Sequence, residues 1–356
     1  MSDLMLDGAI GGNLLGRLPG LTQITRRGNR MKISRRSALA LLAVPLALRA
    51  RDVLAQRPGG PARLGWLSYL GQPDPALEIL REGLRELGYV EGKSFVMVAR
   101  FADGDFTRLP RLVDELAAER LDVLVSRGPS VDYTKAIRSR VPVVFAYSGD
   151  PIAAGFADSL SRPGRNMTGI TFMALELSAK RVEVLKELVP RASRIALLSN
   201  PEHAGELAEY RVTEEAARRV GATMTRYLVR TPQELPTVFA KIRAGRPDAM
   251  IVFPDSLTLV RRKEVAEFAS RERIPSIYGW TEFVESGGLV SYGPRLTENF
   301  KTLAKLVDKL LRGADASTIP IEQVSRIGLT LNMGAARNLG LTVPPAILIR
   351  ADRVIE

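Results

Sequence analysis

Residues 63–68 read RLGWLS, and residues 194–199, 131 positions later, read RIALLS. Each is a short apolar run that opens on a cation and closes on a serine, the pattern of a strand buried on both faces. Other landmarks recur in the same order. Leu87-Gly88 aligns with Val220-Gly221, Leu109-Pro110 with Leu235-Pro236, Asp122-Val-Leu-Val with Asp248-Ala-Met-Ile, and Val141-Pro142 with Ile274-Pro275. The offsets stay between 126 and 133, the drift that loop insertions produce. Two copies of one α/β unit therefore follow each other along the chain. Sheet order is not derivable from this pattern.

Around these anchors, strands are expected at 63–68, 94–100, 122–126, 141–147 and 167–172, with amphipathic helices between them, for example at 75–88 and 107–120. In the first of these helices Leu77, Leu80, Leu84 and Leu87 fall at helical spacing, and Gly88 marks the stop. Continuous apolar strands alternating with helices predict Rossmann-like lobes, each a parallel sheet covered on both faces.

The chain has 356 residues, enough for two domains, and an ordinary globular balance of 46% hydrophobic and 25% charged residues. With no cysteine, disulfides, thiol nucleophiles and Cys-ligated metals are excluded. The lone histidine, His203, rules out a multi-His metal site and reads as an exposed loop residue in the polar stretch PEHAGE. No GxGxxG follows the first strand, and neither a Walker A motif nor GxSxG is present. No cofactor and no enzymatic activity are expected.

The net charge of +12 is unevenly placed. Residues 1–55 hold nine Lys or Arg against three Asp, so half of the excess lies in this short segment. It contains Ser34-Arg35-Arg36-Ser37, then the eleven-residue run ALALLAVPLAL at 38–48, too short to span a bilayer and of signal-peptide length. Val53-Leu54-Ala55 supplies small residues for cleavage near 55/56. The segment reads as a Tat-like export signal, with translation starting at Met1 or Met31. The rest of the chain is only mildly basic, and its Arg261–Lys263 cluster is interleaved with acids, so no nucleic-acid partner is expected.

Ligands bind at the carboxyl ends of strands in open α/β sheets. In the first copy this points to Ser68 and Tyr69, to Gly128, Pro129 and Ser130 at a helix start suited to an anion, and to the Ser148–Asp150 turn. In the second copy it points to Asn200, to Asp255 and to Tyr278, with Trp280 beside it. Ser130 reads equally as a plain helix cap, Asp150 as an Asx-turn, and Tyr278 as core. Asp150 facing Asp255 is the one acidic pair an enzyme reading could use.

The stretches REGLRELGYVEGKSF (81–95), FADGDFTRLPRLVDELAAERLDVLVSRG (101–128), VPVVFAYSGDPIAAGFADSLSRPGRNMTGIT (141–171), AKRVEVLKELVP (179–190), IPSIYGWTEFVESGGLVSYGP (274–294) and NLGLTVPPAILIRADRVIE (338–356) carry a resemblance. From about residue 62 onward the chain resembles the periplasmic substrate-binding proteins of ABC transporters, in the branch that includes tryptophan/tyrosine-type binding proteins. The resemblance implies a type I periplasmic-binding-protein fold with a three-segment hinge near 168–178, 289–295 and 322–330. Lobe 1 would comprise 62–170 and 292–325, and lobe 2 175–290 and 328–356. It implies a periplasmic monomer that closes on a small organic ligand, an amino acid or aromatic compound, and delivers it to an ABC permease in the inner membrane. It places ligand contacts at Gly128–Ser130, Ser148–Asp150, Asn200, Asp255 and Tyr278. Where this family often has Gly-Thr, Pro129 removes an N–H donor, which argues against a simple amino-acid carboxylate site. A signalling ligand-sensor or an enzyme on the same two-lobe fold is the alternative.

Overall fold

A computed structural model describes residues 60–172, 175–324 and 326–356. The expected export signal and cleavage site lie outside the described residues.

In the first lobe, β1 (Ala62–Ser68), β2 (Phe95–Phe101), β3 (Val123–Arg127), β4 (Val143–Tyr147), β5 (Met167–Thr171) and β11 (Glu322–Gln323) form one sheet of order β11-β5-β4-β3-β1-β2. All its pairings are parallel. In the second lobe, β6 (Arg194–Ser199), β7 (Thr223–Leu228), β8 (Ala249–Val252), β9 (Ser276–Tyr278), β10 (Val290–Pro294), β12 (Ile327–Asn332) and β13 (Arg353–Ile355) form the order β13-β12-β10-β9-β8-β6-β7. Stripped of the late additions, both sheets run 2-1-3-4-5, so the doubling read from RLGWLS and RIALLS is a doubling of topology. The second sheet is not wholly parallel: β10 and β12 pair antiparallel. β12 enters directly from the other lobe without a crossover helix, so nothing turns it to run with its neighbour.

The chain passes between the lobes three times: between Thr171 and the Leu175–Leu188 helix, between Pro294 and the Leu296–Leu311 helix, and between Gln323 and Ile327. β10 remains in the second sheet to Pro294, beyond the boundary at 290 expected from sequence.

Local chemistry explains the elements. The Pro75–Glu86 helix starts where Asp74 Oδ1 accepts from Ala76 N at 3.1 Å, with Pro75 pre-set for the first turn. Its buried stripe of Leu77, Leu80 and Leu84 packs with Phe300, Leu303 and Leu306 of the Leu296–Leu311 helix in one core under β1 and β3. Strand alternation divides β3 between two cores: Val123 and Val125 face this helix pair, while Leu124 faces the opposite side with Leu112 and Leu116. In the second lobe, Val182 and Leu185 of the Leu175–Leu188 helix cover Ile195, Leu197 and Ile251. No described helix is long and apolar enough to cross a membrane.

Candidate functional site

The carboxyl ends of β1, β3 and β4 face those of β6 and β8 across a cleft, and the lobes approach each other at Gly205 and at Gly128. A Cβ placed on Gly205 would stand 3.1 Å from the Ser148 carbonyl oxygen, and the φ of Gly205 is +87°. Its neighbour Ala204 packs against the first-lobe core. Gly128, at φ +58°, comes close to Ser256: a Cβ there would lie 3.3 Å from the serine Oγ. Larger residues at 128 and 205 would hold these loops apart.

Beside these contacts lies a cavity of about 540 Å³, lined by Phe106, Pro129, Asp132 and Tyr133 of the first lobe and Glu202 of the second. Pockets for small organic ligands span about 300–1,000 Å³. Phe106 packs on Tyr69 with ring centroids 4.3 Å apart. A second cavity of about 440 Å³ lies against the Pro75–Glu86 and Leu296–Leu311 helices. In its lining Lys301 pairs with Glu86 and Arg326 with Glu298.

Of the residues singled out from sequence, Tyr69 is buried at 4% exposure, and its hydroxyl donates to the Gly104 carbonyl at 2.7 Å. Burial, followed by the charges of Asp255, Asp105 and Glu202, pushes that hydroxyl up to about 12. Tyr69 therefore senses carboxylates from both lobes. Ser68 is buried, and its Oγ accepts from Leu70 N at 3.2 Å. Gly128 and Pro129 open a 3₁₀ segment, Gly128–Ala136, rather than an α-helix. No side chain caps that segment. Ser130 is buried, and its Oγ donates to the Arg127 carbonyl at 2.6 Å. Ser148 sits at the contact with Gly205. Asp150 Oδ1 accepts from Ile152 N at 2.8 Å, an Asx-turn. Asn200 Oδ1 accepts from Glu202 N at 3.0 Å, and its Nδ2 donates to Asp255 Oδ1 at 3.3 Å. Asp255 caps the Ser256–Val260 helix, accepting from Leu257 N at 2.8 Å. Tyr278 is fully buried and stacks on Phe283 at 4.7 Å within the core. Asp150 and Asp255 each accept from a backbone N–H of their own turn.

His203 departs most from expectation. It is 7% exposed, not a solvated loop residue. Its Nδ1 lies 3.7 Å from Asp255 Oδ2 and its Nε2 3.7 Å from Glu209 Oε1. Burial disfavours the imidazolium, but Glu209, Asp255 and Glu206 outweigh that and raise its pKa. Arg226 pairs with Glu206 through two nitrogens, and Ser199 Oγ donates to Glu206 Oε1 at 2.6 Å. Buried Arg181 stands near Glu209 and donates from Nε to the Tyr292 carbonyl at 2.9 Å. With His203 protonated, three cations face three buried carboxylates. This cluster anchors the Asn200–Gly205 loop that meets the first lobe.

Sequence reasoning missed Phe106, Asp132, Tyr133 and Glu202 as a group, because their convergence is tertiary. It also missed the buried Asp74–Arg127 pair, in which Arg127 Nη1 lies 3.1 Å from Asp74 Oδ1 and the guanidinium sits 5.3 Å from the Phe300 ring centroid. Alternation along β3, which puts Arg127 on the face of Val123 and Val125, was the one signal available. Arg127 Nε and Asp74 Oδ2 are buried without a partner, as is Trp280 Nε1 at the end of β9.

The model of a family described as ABC transporter substrate binding protein matches residues 74–355. A tyrosine-binding protein of Clostridioides difficile (strain R20291) is 20% identical over 273 residues, 75% of this chain and 78% of that protein. Among solved structures, an ABC domain from Streptococcus pneumonia in complex with L-Trp aligns at TM-score 0.75 and 23% identity, covering 83% of this chain and all of that one. A conserved domain protein from Vibrio cholerae aligns at TM-score 0.75 and 23% identity, covering 82% of this chain and 99% of that one. The fold they share is that of the type I periplasmic binding proteins.

Proposed function

Because the chain belongs to the ABC transporter substrate binding protein family, we propose that it is the extracytoplasmic solute-binding component of an importer. In this reading it works as a monomer, closes its lobes on a small organic ligand with an aromatic part, and hands that ligand to a permease in the inner membrane. The observation that carries the reading is the cavity of about 540 Å³ walled from both lobes and lined by Phe106, Tyr133 and Pro129. The tyrosine-binding relative and the L-Trp complex support the aromatic class. Ser68, Tyr69, Gly128, Pro129, Ser148, Asn200 and Asp255 belong to or border the loops that would close on the ligand. Ser130, Asp150 and Tyr278 would support those loops from behind. Ligand bound to one lobe recruits contacts from the other and shifts an open–closed equilibrium. No chemical step is required of the protein.

The twin-arginine segment supports delivery to the periplasm, and replacing Arg35 and Arg36 by lysine should retain the protein in the cytoplasm. The reading as a whole is tested by thermal melting of the purified protein against amino acids, aromatic amines and acids, nucleosides and sugars. A ligand at 100 times its dissociation constant stabilises a native state by about 2.7 kcal/mol, which for a chain of this length raises Tm by about 2–4 °C. A shift with aromatic compounds, without product by mass spectrometry, is expected. A shift confined to sugars or nucleosides would overturn the aromatic assignment, and turnover of a bound compound would overturn the transport role.

A further inference from the structure

Asp132, in the Gly128–Ala136 segment of the first lobe, and Glu202, in the loop after β6 of the second, line one cavity. The separation of these two carboxylates is therefore set by how far the lobes close. Each carries one loose, solvent-exposed ion pair, Lys135 Nζ 3.7 Å from Asp132 and Arg230 Nε 3.9 Å from Glu202, with all four side chains 41–54% exposed, and such pairs contribute little. Tyr147 also donates weakly to Asp132, at 3.4 Å. Asp105, Asp150 and Asp255 add negative charge around the same loops; among these, Asp105 and Asp255 act on Tyr69 together with Glu202. The rest of the lining is Phe106, Pro129 and Tyr133. None of the described residues lining this cavity is Lys or Arg, Pro129 offers no N–H, and the Ser130 hydroxyl is spent on Arg127. A carboxylate entering here would meet repulsion. A cationic amine would meet two carboxylates and two aromatic rings.

We infer that this cavity is an ammonium-recognising subsite formed by Phe106, Asp132 and Tyr133 of one lobe and Glu202 of the other, and that the ligand is therefore a cationic amine. This rests on the ligand-binding reading above. Two like charges drawn together oppose closure, and a cation placed between them removes that opposition. The ligand's positive charge thus has a differential interaction with the closed form, which is what any ligand-driven closure requires.

The test holds the ring constant and varies the charged group: tyramine, L-tyrosine and 4-hydroxyphenylacetate, with tryptamine, L-tryptophan and indole-3-acetate as the indole set, all by titration calorimetry on the purified protein. The amines are expected to bind within tenfold of the amino acids, and the acids at least tenfold more weakly. Asp132→Asn and Glu202→Gln should each weaken amine binding by about tenfold, the value of a charge-assisted contact out of bulk water. The ligand-free melting temperature should hold or rise in both variants, and small-angle scattering of ligand-free Glu202→Gln should show a more compact particle. Acids that bind as well as the amino acids while the amines fail, or amine binding indifferent to both variants, would overturn the subsite and leave the ligand-binding function standing. Failure of all six compounds to bind would overturn the aromatic-ligand reading, and this inference with it.

Discussion

The imidazole Nδ1 of His203 stands 3.7 Å from Asp255 Oδ2, with both side chains buried in the loop region by which the second lobe meets the first. This couples the charge of one residue to the position of the Asn200–Gly205 loop. The pKa of His203 in the folded protein is raised above its ordinary value of 6.5. A group of this kind contributes stability that is fully present below its unfolded pKa and is lost as pH rises through the folded one. Tm should therefore fall as pH is raised from about 6.5 through the raised pKa. His203→Gln should lower Tm at pH 6 and flatten this dependence. Melting curves across that range check it, and an unchanged slope in the variant would sink the assignment.

Arg127 and Asp74 form a buried ion pair on which the start of the Pro75–Glu86 helix also depends, since Asp74 Oδ1 serves both Ala76 N and the guanidinium. Arg127→Met leaves a buried carboxylate without its cation. Removing one partner of such a pair costs about 3–5 kcal/mol. Urea unfolding should show this loss, and Asp74→Asn combined with Arg127→Met should recover part of it. Equal stability of the single variant and the parent would show that the pair is not closed in solution.

Gly205 combines a positive φ with close approach to Ser148. Gly205→Ala imposes a left-handed conformation on an L-residue, at about 1–2 kcal/mol, and pushes its methyl toward the Ser148 carbonyl. We expect a lower Tm, a more open particle by small-angle scattering and weaker ligand binding. Gly221→Ala, with positive φ but nothing within 4 Å of the added Cβ, is the control: it should lower Tm without changing the particle's dimensions.

The protein has two tryptophans. Trp66 is fully buried in the first-lobe core, and Trp280, also buried, follows the carboxyl end of β9; the Nε1 of each is without a partner. Ligand addition should change the fluorescence of Trp66→Phe, in which Trp280 remains, and leave that of Trp280→Phe almost unchanged. The reverse pattern would move the ligand away from the second-lobe strand ends.

Much of the architecture was legible because it rests on local chemistry. A continuous apolar run placed β1, and period-3.6 burial placed the Pro75–Glu86 helix, within a residue or two, and Gly88, at φ +89°, ends the helix as its position suggested. The loops that meet across the cleft were legible too, since strand ends point to them. Side-chain roles within those loops were not. Ser130 and Asp150 read in sequence equally as ligand contacts and as turn residues, and in the structure each makes a hydrogen bond within its own turn. His203 looks solvated because the stretch PEHAGE around it is polar, but the partners that hold it, Glu209 and Asp255, lie outside that stretch and are buried.

The sequence by itself determined that this chain is a doubled α/β protein: hydrophobic periodicity and repeated landmarks are properties of near neighbours along the chain. Tertiary structure alone decided the sheet orders, the antiparallel entry of β12, the charge-balanced cluster around His203, and the meeting of Phe106, Asp132 and Tyr133 with Glu202. Each of these depends on groups dozens of residues apart, brought together by burial of the two sheets' apolar faces. Coulomb and hydrogen-bond energies act over a few ångströms of space and carry no mark in the order of the residues.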